Sequence, residues 1–180
     1  KWAGGTLPPG FMLDVRKALP DGSDNALYRR YVAYPPHAEI ILAYFRMFLE
    51  NAGNLNGTLR QIVEHGPFFT DPKMWLAPKG FRFMPPRTMK NYGLGFCPGG
   101  DGLRSILTNA AYIGHWSVND VIIRFNNHPP MVPLAVFMQA FNYLSPMGLD
   151  GQPNREVKPV TLSVRPSKTA HHRVQPPPCA

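Results

Sequence analysis

Proline and glycine residues divide this chain into short segments, and that division limits what it can fold into. The 180 residues include 21 Pro and 16 Gly. Because Pro breaks helices and Gly favours turns, each apolar run between them is expected to form one short element. The longest apolar cluster, residues 40–49, is interrupted by Arg46 and is much shorter than the ~18 apolar residues of a membrane span. We therefore expect no membrane insertion.

Four segments carry the apolar spacing of amphipathic helices, with apolar residues recurring three and four positions apart. In the first, Ile41, Phe45 and Phe48 form the apolar stripe, and Gly53 stands where a C-terminal cap belongs. The predicted helices span residues 36–52, 57–65 with Asn56 as cap, 102–111 with Asp101 as cap, and 134–144.

Strand patterns are fewer and shorter. Residues 115–125 alternate and are rich in Val and Ile, which predicts a strand or hairpin, and residues 11–15 predict one short strand or turn. Residues 68–100 are interrupted by several Pro and predict irregular structure. The expected fold class is mainly α with a small antiparallel β element (α+β).

Composition along the chain predicts three regions. Residues 1–35 are interpreted as a linker and turn region, and residues 36–145 as the folded domain. Residues 146–180 are dominated by Gly, Pro and isolated basic residues, which predicts a poorly ordered basic tail. Within it, residues 160–164 alone alternate like a strand.

Basic residues outnumber acidic ones, 19 Lys and Arg against 11 Asp and Glu, for a net charge of +8 and a pI near 9.8. A surplus of this size favours a polyanion as partner. Residues 73–96 interleave basic and aromatic side chains, which is typical of nucleic-acid binding. The alternative is a surface loop whose aromatic residues anchor it on the core. The basic residues predicted to contact phosphates are Lys79, Arg82, Arg87 and Lys90.

The predicted third helix has two different faces. At 100° per residue its apolar residues fall on one side, and Asp101, Arg104, Ser105 and Thr108 fall on the other. Arg, Ser and Thr side chains can reach base edges or phosphates in a major groove. Arg104, Ser105 and Thr108 are therefore the predicted base-contacting residues. The alternative is a plain amphipathic helix with a solvated face.

Patterns for catalysis or metal binding are missing from the sequence. The six His residues show no metal-ligand spacing, and Cys97 and Cys179 make neither a disulfide framework nor a zinc site. The Ser residues lack a nucleophile-elbow context, and the carboxylates are scattered. We expect no catalytic residue, no metal and no cofactor in this chain, and a reducing, cytoplasmic environment. The start at Lys1 rather than Met predicts an excised fragment.

Three segments of the chain resemble motifs that occur together in one protein family. Residues 1–11 (KWAGGTLPPGF) resemble its opening G-R-W-x-G-G-x-x-P-x-G-Y motif. Residues 107–114 (LTNAAYIG) resemble its L-x-N-P-x-Y-I-G motif. Residues 128–132 (HPPMV) with 137–140 (FMQA) are similar to its H-P-P-x-V…F-x-x-A/Q segment. The motifs occur in the family's order over about residues 1–145, with Ala110 replacing the motif's Pro and Phe11 its Tyr. On these motifs the chain resembles the DNA-binding "recombinase" domain of large serine recombinases.

This resemblance implies a helix-turn-helix-like domain that binds duplex DNA sequence-specifically. It also implies a parent integrase or transposase, dimeric or tetrameric on DNA, whose resolvase-type catalytic domain precedes Lys1. A zinc ribbon and coiled coil would follow Ala180. Lys1 would begin a linker that tracks along the DNA backbone. The alternatives are a helix-turn-helix regulator or RNA-binding module, a protein-interaction domain with a Pro-rich tail, and a small hydrolase.

Overall fold

A computed structural model describes residues 7–84, 89–118, 121–145 and Gln152. Within these residues it contains four α-helices, seven short β-strands and two 3₁₀ turns, so the chain has an α+β fold. In chain order the elements are β1 Phe11–Asp14, β2 Tyr31–Ala33, α1 Pro35–Glu50, α2 Leu55–His65, a 3₁₀ turn Pro72–Met74, β3 Phe81–Arg82, β4 Met89–Asn91, β5 Phe96–Pro98, α3 Gly100–Thr108, a 3₁₀ turn Ala110–Ile113, β6 Trp116–Val118, β7 Val121–Arg124 and α4 Leu134–Leu144.

The strands form three small antiparallel sheets. The largest has the order β2-β1-β3, with Leu13 opposite Tyr31 on one side and Arg82 on the other. All four residues of β1 are buried, as befits a central strand covered on both faces. The other two sheets are the pairs β4-β5 and β6-β7.

The helices build the core around α1. Its residues Ile41, Tyr44, Phe45 and Phe48 are fully buried, at the i, i+3, i+4, i+7 spacing of one helical face. They pack in one apolar cluster with the inner faces of α3 and α4. Leu7 and β1 also contribute to this cluster, so residues from the predicted linker region lie in the core.

A 3₁₀ turn at Ala110–Ile113 joins three distant parts of the chain. The Tyr112 side chain is fully buried, and its hydroxyl donates to the Pro9 carbonyl at 2.8 Å. The Tyr112 carbonyl accepts from the backbone N–H groups of Met131 and Val132, both at 2.9 Å. His128 Nε2 donates to the Ala111 carbonyl at 2.7 Å. This cluster fixes the C-terminal end of α3 against the start of the chain.

Several predicted elements are confirmed. Helix α4 spans the predicted residues 134–144, strand β1 lies within 11–15, and the β6-β7 hairpin lies within 115–125. Helix α1, predicted over residues 36–52, spans Pro35–Glu50 with Asn51 at its C-cap, so Gly53 lies two residues beyond the cap, in the left-handed conformation with φ of 78°.

Other predictions were wrong at the element ends. Helix α2 begins at Leu55, and the side chain of Asn54, not Asn56, accepts from the Gly57 N–H. Helix α3 begins at Gly100 with Gly99 at the N-cap position, so Asp101 lies in the first turn and does not cap the helix. Helix α3 also ends at Thr108, because the Asn109 side chain caps the following 3₁₀ turn.

The segment 68–100 was predicted to be irregular, but its described residues contain β3, β4 and β5. Residue Phe69 also forms a backbone bridge to Phe96. The pairing of β3 with β1 and the bridge from Phe69 to Phe96 join residues far apart in sequence, which a local pattern does not reveal, whereas β4-β5 is a local hairpin. The predicted strand at 160–164 and the rest of the predicted tail, apart from Gln152, lie outside the described residues.

Candidate nucleic-acid interface

Helix α3 presents one buried and one exposed face, as its sequence predicts. Leu103, Ile106 and Leu107 are buried in the core, whereas Arg104 and Ser105 are exposed and Thr108 is half-buried. A helix-turn-helix arrangement is not shown around α3. Residues 66–99 separate it from α2 and residues 109–133 from α4, whereas that motif joins its two helices by a turn of about 3–4 residues.

The three predicted base-contacting residues differ in whether their side chains already form hydrogen bonds within the protein. Arg104 Nη1 donates to the Leu144 carbonyl at 3.0 Å, so the guanidinium lies at the C-terminal end of α4, where a positive charge is favoured. Thr108 Oγ1 donates to the Arg104 carbonyl at 3.0 Å. Its oxygen therefore remains available only as an acceptor. Ser105 is exposed on the same face.

An open groove of about 330 Å³ runs beside the exposed face of α3. Ser105 and Asp101 line it from the helix. The remaining lining is mostly apolar and comes from Leu7–Pro9, Met89, Pro98, Gly102 and Ile106, together with Asn109. The N-terminal segment therefore reaches α3 on its Ser105 side, and the end of α4 reaches it at Arg104.

Of the predicted phosphate-contacting residues, the structure brings Lys90 next to α3. A Cβ on Gly99 would lie 3.8 Å from Lys90 Nζ, which places the ammonium beside the first turn of the helix. Backbone N–H groups at a helix start favour anions, and Gly99 supplies no capping side chain there. The Asp101 carboxylate lies in the same turn, and its negative charge disfavours an anion at this helix start.

Arg82 and Lys79 lie on a different element. Arg82 belongs to β3 and Lys79 to the turn that precedes it. Both side chains are exposed, as is that of Lys90. Within the described part of the chain, none of these three side chains forms a hydrogen bond or ion pair. Lys1 and Arg87, the other two predicted phosphate contacts, lie outside the described residues.

The neighbouring Arg16 is different, because it is already paired. Its guanidinium contacts the buried Asp14 carboxylate at 2.6 Å and stacks over the Phe81 ring. The hydrogen bonds from Arg16 and Asn25 hold the pKa of Asp14 down at about 2, against the opposing effect of burial. Arg16 therefore stabilises the sheet and is not a free cation.

An aromatic cluster that the sequence analysis did not single out surrounds His37 near the start of α1. The imidazole is buried, and its ring centre lies 4.3 Å from that of Trp75 and 5.2 Å from that of Phe69. Tyr34 and Phe83 contact it as well. His37 Nδ1 has no hydrogen-bond partner, and burial lowers the pKa of His37 to about 4.

Among the described residues, no three His, Cys, Asp or Glu side chains are grouped so that they could hold a metal ion. Cys97 is buried as a free thiol, and burial raises its pKa to about 11. None of the described helices combines the length and the apolar character needed to cross a bilayer.

No family model, curated protein or solved structure matches this chain. The family resemblance therefore rests on the three sequence motifs alone.

Proposed function

We propose that this chain binds duplex DNA sequence-specifically as part of a serine site-specific recombinase, with α3 in the major groove. The observation that carries the proposal is the exposed polar face of α3, where Arg104 and Ser105 point away from a fully buried inner face. Polar side chains on one face of a well-supported helix are the usual means of reading base edges.

The three motifs behind the resemblance support this proposal because they contact one another. Pro9 of the first motif accepts the hydrogen bond of Tyr112 in the second, and His128 of the third donates to Ala111. Phe11 stacks on Tyr112, with ring centres 5.5 Å apart. Three motifs that lie far apart in sequence thus form one cluster directly behind the C-terminal end of α3.

The exposed cations suit phosphate contacts, whereas the residues of α3 suit contacts with base edges. Lys79, Arg82 and Lys90 are exposed and unpaired within the described residues, which suits phosphate contacts that set affinity rather than sequence choice. Arg104 uses one of its five N–H donors on Leu144, so the others remain for a guanine edge. Thr108, as an acceptor, suits an exocyclic amino group of adenine or cytosine.

In this proposal the chain itself is not an enzyme. It positions a separate catalytic domain of a dimeric or tetrameric parent on its DNA site, in the cytoplasm, without a cofactor. A helix-turn-helix arrangement remains part of the proposal only through the resemblance.

The assignment of α3 predicts a loss of sequence discrimination when Arg104 is changed. On a duplex selected from a randomised library, Arg104→Ala is expected to weaken binding by ~1–3 kcal/mol and to flatten discrimination at one base pair. Arg104→Lys keeps the charge but not the bidentate geometry, so it should retain affinity for a scrambled duplex and lose discrimination. Titration of each variant against both duplexes measures the effect.

Variants of the phosphate-contacting residues are the matched comparison. Arg82→Ala and Lys90→Ala should weaken binding to the selected and scrambled duplexes equally, and each should reduce the slope of log K against log salt by about one unit. Arg46, exposed on α1 and assigned no contact, provides the control as Arg46→Ala. If Arg104→Ala weakens both duplexes equally, or resembles Arg46→Ala, α3 is not the recognition helix.

A further inference from the structure

The segment Met74–Leu76, which we call the 74–76 tip, exposes two large apolar side chains to solvent. Leu76 is 84% exposed and Met74 is 69% exposed. Between them, Trp75 is half-buried against His37 and Phe69. The tip therefore has an inward anchor and two outward apolar groups.

The base of the tip is held in place by several local contacts. The Asp71 side chain accepts from the Lys73 backbone N–H at 2.9 Å and starts a 3₁₀ turn that contains Pro72. Trp75 Nε1 donates to the Thr70 carbonyl at 3.1 Å. Fixing the base in this way presents Met74 and Leu76 without further ordering of the backbone, which lowers the entropic penalty of binding.

Cations flank the tip along the chain. Lys73 precedes Met74 directly, and Lys79 follows Leu76 by three residues. Both side chains are exposed, and within the described residues neither is hydrogen-bonded or ion-paired. The ligand that suits this arrangement is therefore an anionic surface with an apolar layer just beneath it.

We propose that the 74–76 tip is a wedge that inserts Met74 and Leu76 between base steps of duplex DNA from the minor groove. Phosphates are the anionic surface, and the exposed faces of an opened base step are the apolar layer. Lys73 and Lys79 contact the flanking phosphates. This inference rests on the proposed function and extends it, because it adds bending of the DNA at a second contact outside α3.

Two other occupants fit the tip less well. A stable protein interface buries roughly 800 Å² on each partner, far more than two side chains on one narrow turn provide. Binding to an anionic bilayer would gain only about 1 kcal/mol from each nearby Lys. Insertion of the two apolar side chains of the tip would add little. A wedge needs only one or two apolar side chains, since the phosphate contacts supply most of the affinity.

The test compares two duplexes of about 30 base pairs, one fully paired and one with a central two-nucleotide bulge that already opens a base step. Because the bulge removes part of the unstacking penalty, the full chain should bind it about 10-fold more tightly than the paired duplex. The double variant Met74→Ser, Leu76→Ser should bind both nearly equally, whereas Leu76→Met should keep the preference. Leu94→Ser is the matched control, because Leu94 is also 69% exposed.

The outcomes separate the wedge from the proposed function. If the full chain binds both duplexes equally, or the double variant keeps the preference, the wedge is refuted while DNA binding stands. Failure to bind either duplex refutes both proposals. Binding to phosphatidylserine vesicles that requires Met74 and Leu76, with duplex preference unchanged in the double variant, identifies a membrane contact and also refutes the wedge.

Discussion

Gly114→Ala is expected to destabilise the protein by about 2–4 kcal/mol, a large share of the roughly 5–15 kcal/mol that stabilises a domain. Gly114 has φ of 86°, and a Cβ there would lie 2.5 Å from the His128 carbonyl oxygen. The left-handed backbone alone disfavours Ala by about 1 kcal/mol, and relieving a clash with backbone adds roughly 1–3 kcal/mol. Urea denaturation followed by circular dichroism measures the difference.

Gly22→Ala is the control for this prediction. Gly22 has a similar φ of 83°, but nothing lies within 4 Å of a Cβ placed there. It should therefore show the backbone effect alone, about 1 kcal/mol. If the two variants lose the same stability, the close approach of Gly114 to His128 does not constrain the Tyr112 cluster.

Acidification from pH 6.5 to pH 4 is expected to destabilise the protein by about 3 kcal/mol through His37 alone, since its pKa falls from 6.5 in the unfolded chain to about 4. The unfolded chain binds the proton more readily in this window, so stability is full above pH 6.5 and is lost as the pH falls toward 4. The loss arises because an imidazolium would be buried among aromatic rings with Nδ1 unpartnered.

His37→Leu removes the titrating group and should remove most of this pH dependence. A smaller dependence of the free energy of unfolding on pH remains, because burial also lowers the pKa of His128. His65→Gln, at a side chain that is 73% exposed, is the control for replacing a histidine outside the cluster. The Asp14 carboxyl, with its pKa of about 2, loses its contribution only below pH 3.8, outside this window. Equal slopes for wild type and His37→Leu would contradict the account of the His37 cluster.

The helices follow from the sequence where apolar spacing and breakers agree. Helix α4 begins directly after Pro133 and ends where its apolar stripe ends, so both its bounds were predicted. Helix α2 was misplaced at its start because Asn54 and Asn56 are chemically equivalent caps. Asn54 is the cap in the structure. With this cap the helix includes Leu55, whose side chain packs against the core.

Of the candidate site, only the features set by neighbouring residues on α3 could be predicted from the sequence. Exposure of Arg104 and Ser105 follows from the helical period, but the bond from Arg104 to Leu144 joins residues 40 apart. The position of Lys90 beside Gly99 depends on the β4-β5 pairing. The position of Arg82 depends on the pairing of β3 with the distant β1, and strand register across such a distance is set by tertiary packing rather than by the residues of either strand.

The most direct test of the central claim is the binding of the full chain to duplex DNA across a range of salt concentrations. With five predicted phosphate contacts, log K should fall with log salt at a slope near −4.5, an affinity loss of about 500-fold between roughly 50 and 200 mM salt. Duplex DNA should be preferred over single-stranded RNA, and no strand should be cut or joined by the chain alone. A slope near zero, a preference for the RNA, or strand cleavage by the purified chain would contradict the account.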